Sequence, residues 1–305
     1  MKYASIDIGT NTVLLMIAEI TERIEEIYDT ATITRLGQGL KQAGNLSSEA
    51  MGRTLNALRD YRVIADKNQV KEILCVGTAA LREAKNRDTF LELVNKQLSF
   101  SIRVISEHDE AFYTYLSVRQ NLTYETEGVI IIDIGGGSTE IICGDRENFI
   151  DFISLPVGSV KLTEMFIKHD PPLDDEIKLL RDFIKSILKL PFGKGIQSVV
   201  GTAGTVTTLG SISKGLCHWD KKQVHGLRLN VRSIDDVVDY LIAKTASERS
   251  KLPGMEKGRE DIIPQGIILL QEIMKYLGAE ELMIDANGVR HGILCERLAF
   301  LNAKA

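Results

Sequence analysis

The sequence is poor in several features that mark whole protein classes. Of 305 residues only four are cysteine: Cys75, Cys143, Cys217 and Cys295. They are scattered, with no Cys-x-x-Cys pair and no Cys/His spacing of a zinc site. Neither a disulfide framework nor a structural metal is therefore expected, and free thiols in a reducing compartment are. A basic excess is also missing: 37 Lys and Arg stand against 42 Asp and Glu, for a net charge of −5. Duplex nucleic-acid binders show a basic stripe, so no nucleic acid is expected as partner. No apolar run approaches the ~20 residues of a membrane span, so no membrane is expected either. Met1-Lys2-Tyr3 leads straight into Ala4-Ser5-Ile6-Asp7 without a secretory leader pattern. A cytoplasmic enzyme is the expectation.

What is present is ordinary for a globular protein: 44% apolar and 26% charged residues. A length of 305 residues predicts two domains. An acidic chain can still bind a polyanion locally, through backbone N–H groups, a few arginines or lysines and a divalent cation.

The pattern along the chain repeats. A short apolar strand ends in Asp7-Ile8-Gly9-Thr10-Asn11-Thr12, and residues 13–20 read as a second strand. After a polar stretch at 121–128, Val129-Ile130-Ile131-Ile132 ends in Asp133-Ile134-Gly135-Gly136-Gly137-Ser138-Thr139. A strand over 140–143 follows. Strand, Asp-Ile-Gly loop, strand is not the strand–loop–helix unit of dinucleotide or P-loop folds. Its recurrence reads as an internal duplication of a domain, or else as two unrelated Asp-x-Gly turns. Domains over 1–124 and 125–305 are expected, with a closing helix near 289–303 packing back on the first. Further elements are read as a loop over 32–40, a helix capped by Ser47 and running to about 68, strands at 73–76 and 102–105, and a helix over 109–120. Beyond these come a helix from Leu162, a helix capped by Asp174, a strand at 198–200 before Gly204-Thr205, and a strand at 282–284.

Successive N–H groups in a tight Gly-rich turn cradle phosphate, helped by a hydroxyl. Gly9, Thr10 and Asn11, then Gly135, Gly136 and Ser138, then Gly204 and Thr205 have that character; hairpin turns without ligand share it. Asp7 and Asp133 end buried strands, where a carboxylate needs a partner or a metal. Asp133 with Glu140 meets the demand of Mg²⁺, while Asp133 accepting its own turn's N–H groups is the competing reading. Glu107, Asp109 and Glu110 follow Ser106 as a capped first helical turn, suited to the macrodipole. Arg82 reads as a phosphate clamp or a surface ion pair. His225 reads more readily as structural than catalytic.

Taken in order, these segments resemble the exopolyphosphatase / guanosine pentaphosphate phosphohydrolase (Ppx/GppA) family. The likeness runs through Asp7 to Thr12, Arg35-Leu36-Gly37-Gln38-Gly39-Leu40, Gly77 to Asn86, Ile105 to Ala111 and Asp133 to Glu140. It continues through Leu155 to Glu164, Gly201 to Leu209, Val224-His225-Gly226 and Gly288-Val289-Arg290-His291-Gly292. The resemblance implies an α/β fold of two actin-like, ribonuclease H-like domains, each a duplicated β-sheet core flanked by helices, around a phosphate-binding cleft. It implies Glu110 as general base, Asp133 and Glu140 as Mg²⁺ ligands, Arg82 as a phosphate ligand, and the loops at Asp7, Gly135 and Gly204 as the cradle. The implied substrates are inorganic polyphosphate or guanosine pentaphosphate (pppGpp), and a homodimer is compatible with it. An ATP-dependent kinase of the same fold and a non-catalytic polyphosphate or alarmone sensor are the alternatives. The chain departs from the family pattern at Thr10 and Thr12 (commonly Ser), at Glu107 and Asp109, at Ala203 (commonly Gly) and at His291 (commonly Glu).

Overall fold

Two sheets organise the apolar strands. The computed structural model describes residues 1–122, 128–192 and 198–304. The first sheet holds β1 (Lys2–Ile8), β2 (Thr12–Ile20), β3 (Ile24–Ile33), β4 (Glu72–Gly77) and β5 (Ile102–Val104), in the order β3-β2-β1-β4-β5. β1 is antiparallel to β2, and β2 to β3; β1 is parallel to β4, and β4 to β5. The second sheet holds β6 (Val129–Ile134), β7 (Thr139–Gly144), β8 (Phe149–Leu155), β9 (Ser198–Thr202), β10 (Arg228–Asn230) and β11 (Glu281–Ile284), in the order β10-β11-β9-β6-β7-β8.

Read from its other edge, β8-β7-β6-β9-β11 repeats the first sheet. β6–β7 and β7–β8 are antiparallel, while β6–β9 and β9–β11 are parallel. β10 is an added antiparallel edge. An antiparallel three-strand meander continued by parallel strands is the ribonuclease H-like arrangement, and its duplication is the actin-like fold. Parallel strands need covering on both faces, which explains the solid apolar run of Ile130, Ile131 and Ile132 in β6, each fully buried.

The chain divides into two units. Met1–Ser117 with Asn287–Ala305 forms one, and Val118–Ala286 the other. The boundary expected between 124 and 125 falls outside the described residues. In the first unit the helix Ser48–Lys67 starts where Ser47 accepts a bond from the Ala50 N–H (3.1 Å). It buries Ala50, Leu55, Leu58 and Tyr61. The helix Val289–Asn302 returns to this unit and packs on β1 and β2. Arg290 forks onto both oxygens of Asp29 in β3 (2.9 and 2.7 Å), and the Ser5 hydroxyl donates to Arg290 O (2.7 Å). In the second unit the helix Ile263–Leu277 is buried from Ile263 through Met274 and forms the centre of the core.

Several sequence expectations need correction. β3 and β8 are strands that the pattern hid, and β3 takes the first residues of the expected 32–40 loop. The helix expected from Leu162 begins at Ser159. Asp174 is the first helical residue rather than the cap; the helix is closed by the Glu176 carboxylate, which accepts the Leu173 N–H (3.0 Å). All four cysteines are free. Among the described residues no helix is long and apolar enough to cross a membrane.

Candidate active site

The two Asp-Ile-Gly hairpins share one geometry. Gly9 N–H donates to Thr12 O (3.0 Å), and Gly135 N–H to Ser138 O (3.1 Å). Asp7 pairs with Leu14 across β1–β2, and Asp133 with Glu140 across β6–β7. In both hairpins the loop closes in the same register. Asp7, Thr10 and Asn11 are buried, as are Asp133, Ser138 and Glu140.

Outside contacts orient each loop. Thr10 O accepts from Gly37 N–H (2.9 Å), and Asn11 O from Thr34 and Arg35 N–H (3.0 and 2.9 Å). Gly135 O accepts from Ser159 N–H (3.0 Å), and Gly136 O from Val160 and Lys161 N–H (3.0 and 3.2 Å). In a trans peptide the carbonyl and the following N–H point opposite ways. With these carbonyls drawn back, Asn11 N–H is turned outward from the first loop. Gly136 and Gly137 N–H are turned outward from the second. Two successive outward N–H groups make an anion-binding concavity. Gly158 makes the second arrangement possible: a Cβ there would lie 2.4 Å from Gly135 O and 2.7 Å from Gly136 C.

The hairpins differ at one position. Glu140 stands directly opposite Asp133, where the first hairpin has Leu14 opposite Asp7. Opposed residues of an antiparallel pair share a face with Cβ atoms ~4.5–5.5 Å apart, and like charges there repel. Ser154 Oγ donates to Glu140 Oε1 (2.9 Å). A dication bound between opposed carboxylates would favour this pairing. Among the described residues no group of three or more His, Cys, Asp or Glu is placed to hold a metal ion. A cage made wholly of protein ligands is thus lacking, but Mg²⁺ needs only one or two carboxylates beside water and phosphate oxygens. The Asp133–Glu140 donor set fits it.

The third expected Gly turn is a helix start. β9 passes through Thr202 into the helix Ala203–Lys214, so Gly204 and Thr205 lie in its first turn. Ala203 takes φ 65° at the junction. Gly204 lies against the guanidinium of Arg259; a Cβ would be 2.1 Å from Nη2. Arg259 is buried and bonds Glu256, whose Oε2 also accepts from the Thr208 hydroxyl (3.5 Å). Sequence reading missed Arg259. The signal was spatial: it lies 55 positions beyond Gly204 in an irregular segment, and only the missing Cβ marks their contact.

In the first unit the structure joins Arg82 and Glu110. Arg82 follows β4 in the short helix Ala79–Glu83, and Glu110 lies in the first turn of the helix Glu107–Arg119. Arg82 Nη1 is 2.6 Å from Glu110 Oε2 and also donates to Ile105 O (3.2 Å). Their side chains are 17% and 11% exposed, so this is not a surface ion pair. Ser106 Oγ accepts from Asp109 N–H (3.0 Å), so the capping expected there is present as well. His225 accepts the Ala286 N–H at Nδ1 (3.2 Å) beside buried Asp285, a structural placement.

The profile of the Ppx/GppA phosphatase family matches residues 16–300. The chain belongs to the Ppx/GppA phosphatase family. Among relatives of this Ppx/GppA chain, Exopolyphosphatase 2 of Mycobacterium tuberculosis is 29% identical, over 96% of this chain and 97% of that protein. The bifunctional 3-dehydroquinate synthase/phosphatase of Fusobacterium nucleatum is 33% identical over 96% of this chain; the chain spans only 46% of that protein. The crystal structure of the Aquifex aeolicus Ppx/GppA family member is similar with a TM-score of 0.82 at 33% identity, covering 99% of both chains. An exopolyphosphatase structure from Cytophaga hutchinsonii reaches 0.91 at 26% identity, covering 98% of both.

Proposed function

We propose that this Ppx/GppA-family phosphohydrolase releases terminal orthophosphate from inorganic polyphosphate, converts guanosine pentaphosphate to the tetraphosphate, or does both. The observation that carries the reading is the second hairpin: outward N–H groups at Gly136 and Gly137 beside the opposed carboxylates Asp133 and Glu140. The names of the Mycobacterium and Cytophaga relatives support polyphosphate as substrate.

The chemistry is displacement at a terminal phosphorus. Water oxygen bonds to phosphorus, the bridging P–O bond breaks, and the shortened chain leaves with the bond's electrons. Glu110 takes the water proton, and Arg82 fixes that carboxylate at 2.6 Å. Phosphoryl transfer depends mainly on positioning and on neutralising the equatorial oxygens. Gly136 and Gly137 N–H, Ser138 and the helix start at Gly204 serve the oxygens in the second unit; Thr10 and Asn11 serve in the first. Asp133 and Glu140 hold Mg²⁺, which when bound supplies charge neutralisation at phosphate oxygens. Backbone dipoles and a dication let a chain of net charge −5 hold a polyanion.

Phosphate release from polyphosphate and from guanosine pentaphosphate, with and without Mg²⁺, tests the proposal. Release from neither substrate by folded protein refutes it. Glu110→Gln keeps the carbonyl geometry but cannot take the proton, and should lose about 10²–10⁴-fold in kcat with binding retained. Full activity in that variant removes Glu110 as base.

A further inference from the structure

The β7–β8 turn carries a feature that the reaction does not use. Gly144 pairs with Phe149, and residues 145–148 form the turn. Asp145 Oδ1 accepts from the N–H groups of Glu147 and Asn148, both at 2.7 Å, so this carboxylate is engaged with its own backbone. Its neighbour Arg146 lines an open surface cavity of about 390 Å³ together with Arg119 and the exposed Glu147 and Gln120. Arg119 is the last residue of the helix Glu107–Arg119. All four lining residues belong to the second unit.

The cavity selects by chemistry. Each lining residue is charged or polar, whereas sites for apolar ligands are lined mainly by hydrophobic and aromatic side chains. Acyl chains are poor occupants. Two of the four lining residues carry guanidiniums and one a carboxylate, and a guanidinium fork matches phosphate oxygens in pairs. At ~30 Å³ per water the volume equals about a dozen waters, room for linked phosphoryl groups. The cavity is also remote from the Gly-rich loop. Asp133 pairs with Glu140 and Val129 with Gly144, so loop and turn cap opposite ends of the β6–β7 ladder. Glu140 and Gly144 are about 13 Å apart along β7.

We infer that the cavity formed by Arg119, Gln120 and Arg146 is a second anion site, binding a multivalent phosphate oxyanion away from the reacting loop. Two sources share that chemistry: a remote segment of a long polyphosphate substrate, or a free oligophosphate acting as effector. The kinetic part of the test rests on the hydrolase proposal; the binding part does not.

Tripolyphosphate is titrated calorimetrically into the Glu110→Gln protein, where turnover is suppressed. Adding Arg119→Gln and Arg146→Gln should remove one binding event. Arg146→Gln alone, on the turn, should weaken it about tenfold and guards against a misfolded double variant. Tripolyphosphate binding that none of these arginine substitutions alters overturns the inference. In the otherwise unchanged enzyme, a raised KM for long-chain polyphosphate with tripolyphosphate unaffected identifies the substrate's own segment. Unchanged KM for both, with loss of the rate response to added pyrophosphate, identifies an effector. An enzyme inactive on all substrates would fail the hydrolase proposal while the binding result still stands or falls by itself.

Discussion

Replacing Gly158 with alanine is a direct probe of the loop proposed to hold phosphate, because it adds one methyl group at a defined place. Gly158 has φ −149°, an extended conformation open to any residue, so no backbone strain enters. The added Cβ would lie 2.4 Å from Gly135 O, 2.7 Å from Gly136 C and 2.8 Å from Gly136 O, where ordinary contact begins at 3.4 Å. All three neighbours are backbone, so the loop must retreat by about 1 Å. The same motion stretches the bonds from Ser159 and Val160 N–H that draw back the Gly135 and Gly136 carbonyls. A misplacement of that size costs about 10²-fold in rate when it falls on groups that position the reacting atoms. Overpacking of this kind costs about 1–3 kcal/mol of stability. Steady-state phosphate release and thermal unfolding, measured together, separate the two effects. The control is Gly52→Ala in the helix Ser48–Lys67, where a Cβ meets nothing within 4 Å; it should leave the rate unchanged and gain up to about 1 kcal/mol. Wild-type turnover in folded Gly158→Ala would refute the reasoning, since the loop would then tolerate the displacement.

Three further outcomes are expected. Glu140→Leu copies the first hairpin's Leu14 into the second; unfolding without metal should be no easier than in the parent, while Mg²⁺-dependent turnover falls by at least about 10²-fold, and unaltered Mg²⁺ dependence would exclude Glu140 as a ligand. Arg290→Ala leaves the Asp29 carboxylate without its fork and should cost about 3–5 kcal/mol in the first unit, read by denaturant unfolding. Burial pushes the Glu176 carboxyl up, but bonds from His169 and from the Leu173 and Lys168 N–H groups outweigh it and hold the pKa at about 2, against 4.5 ordinarily. A depressed folded-state value contributes stability above the unfolded value and loses it as pH falls. Glu176→Gln should therefore be less stable than the parent at neutral pH, with the gap closing between about pH 4.5 and 2; a gap independent of pH in urea unfolding would contradict this.

The sequence showed most plainly what is buried and repeated. β1 and β6 are short buried strands that end in Asp-Ile-Gly loops, and apolar runs in β2 and β7 follow them, so both hairpins were legible. β3 was not: it is an edge strand with Glu25, Glu26, Ile27 and Tyr28 exposed in succession, and no alternation marks a strand that buries neither face fully. β8 has the same edge position, and β10 is only three residues long. Gly204-Thr205 read as a turn because glycine suits turns, yet the helix runs on through Thr208 and Leu209. Glu110 shows a limit of local reasoning. Its position in a capped first turn is as expected, but its bond to Arg82 joins residues 28 apart and needed three dimensions. Arg259 against Gly204 needed them for the same reason.

The return of the helix Val289–Asn302 to the first unit has a consequence for how the protein is made. Its Arg290 pairs with Asp29, and its Gly292 sits so close to Tyr113 O that a Cβ would be 1.9 Å away. A nascent chain released as far as Ser117 therefore lacks a wall of its own first unit until Val118–Ala286 has been synthesised. At ~5–20 residues per second that wait is about 10–40 s. The second unit, continuous in sequence, can fold first, while the earlier-made sheet keeps an apolar face waiting on the ribosome for its cover.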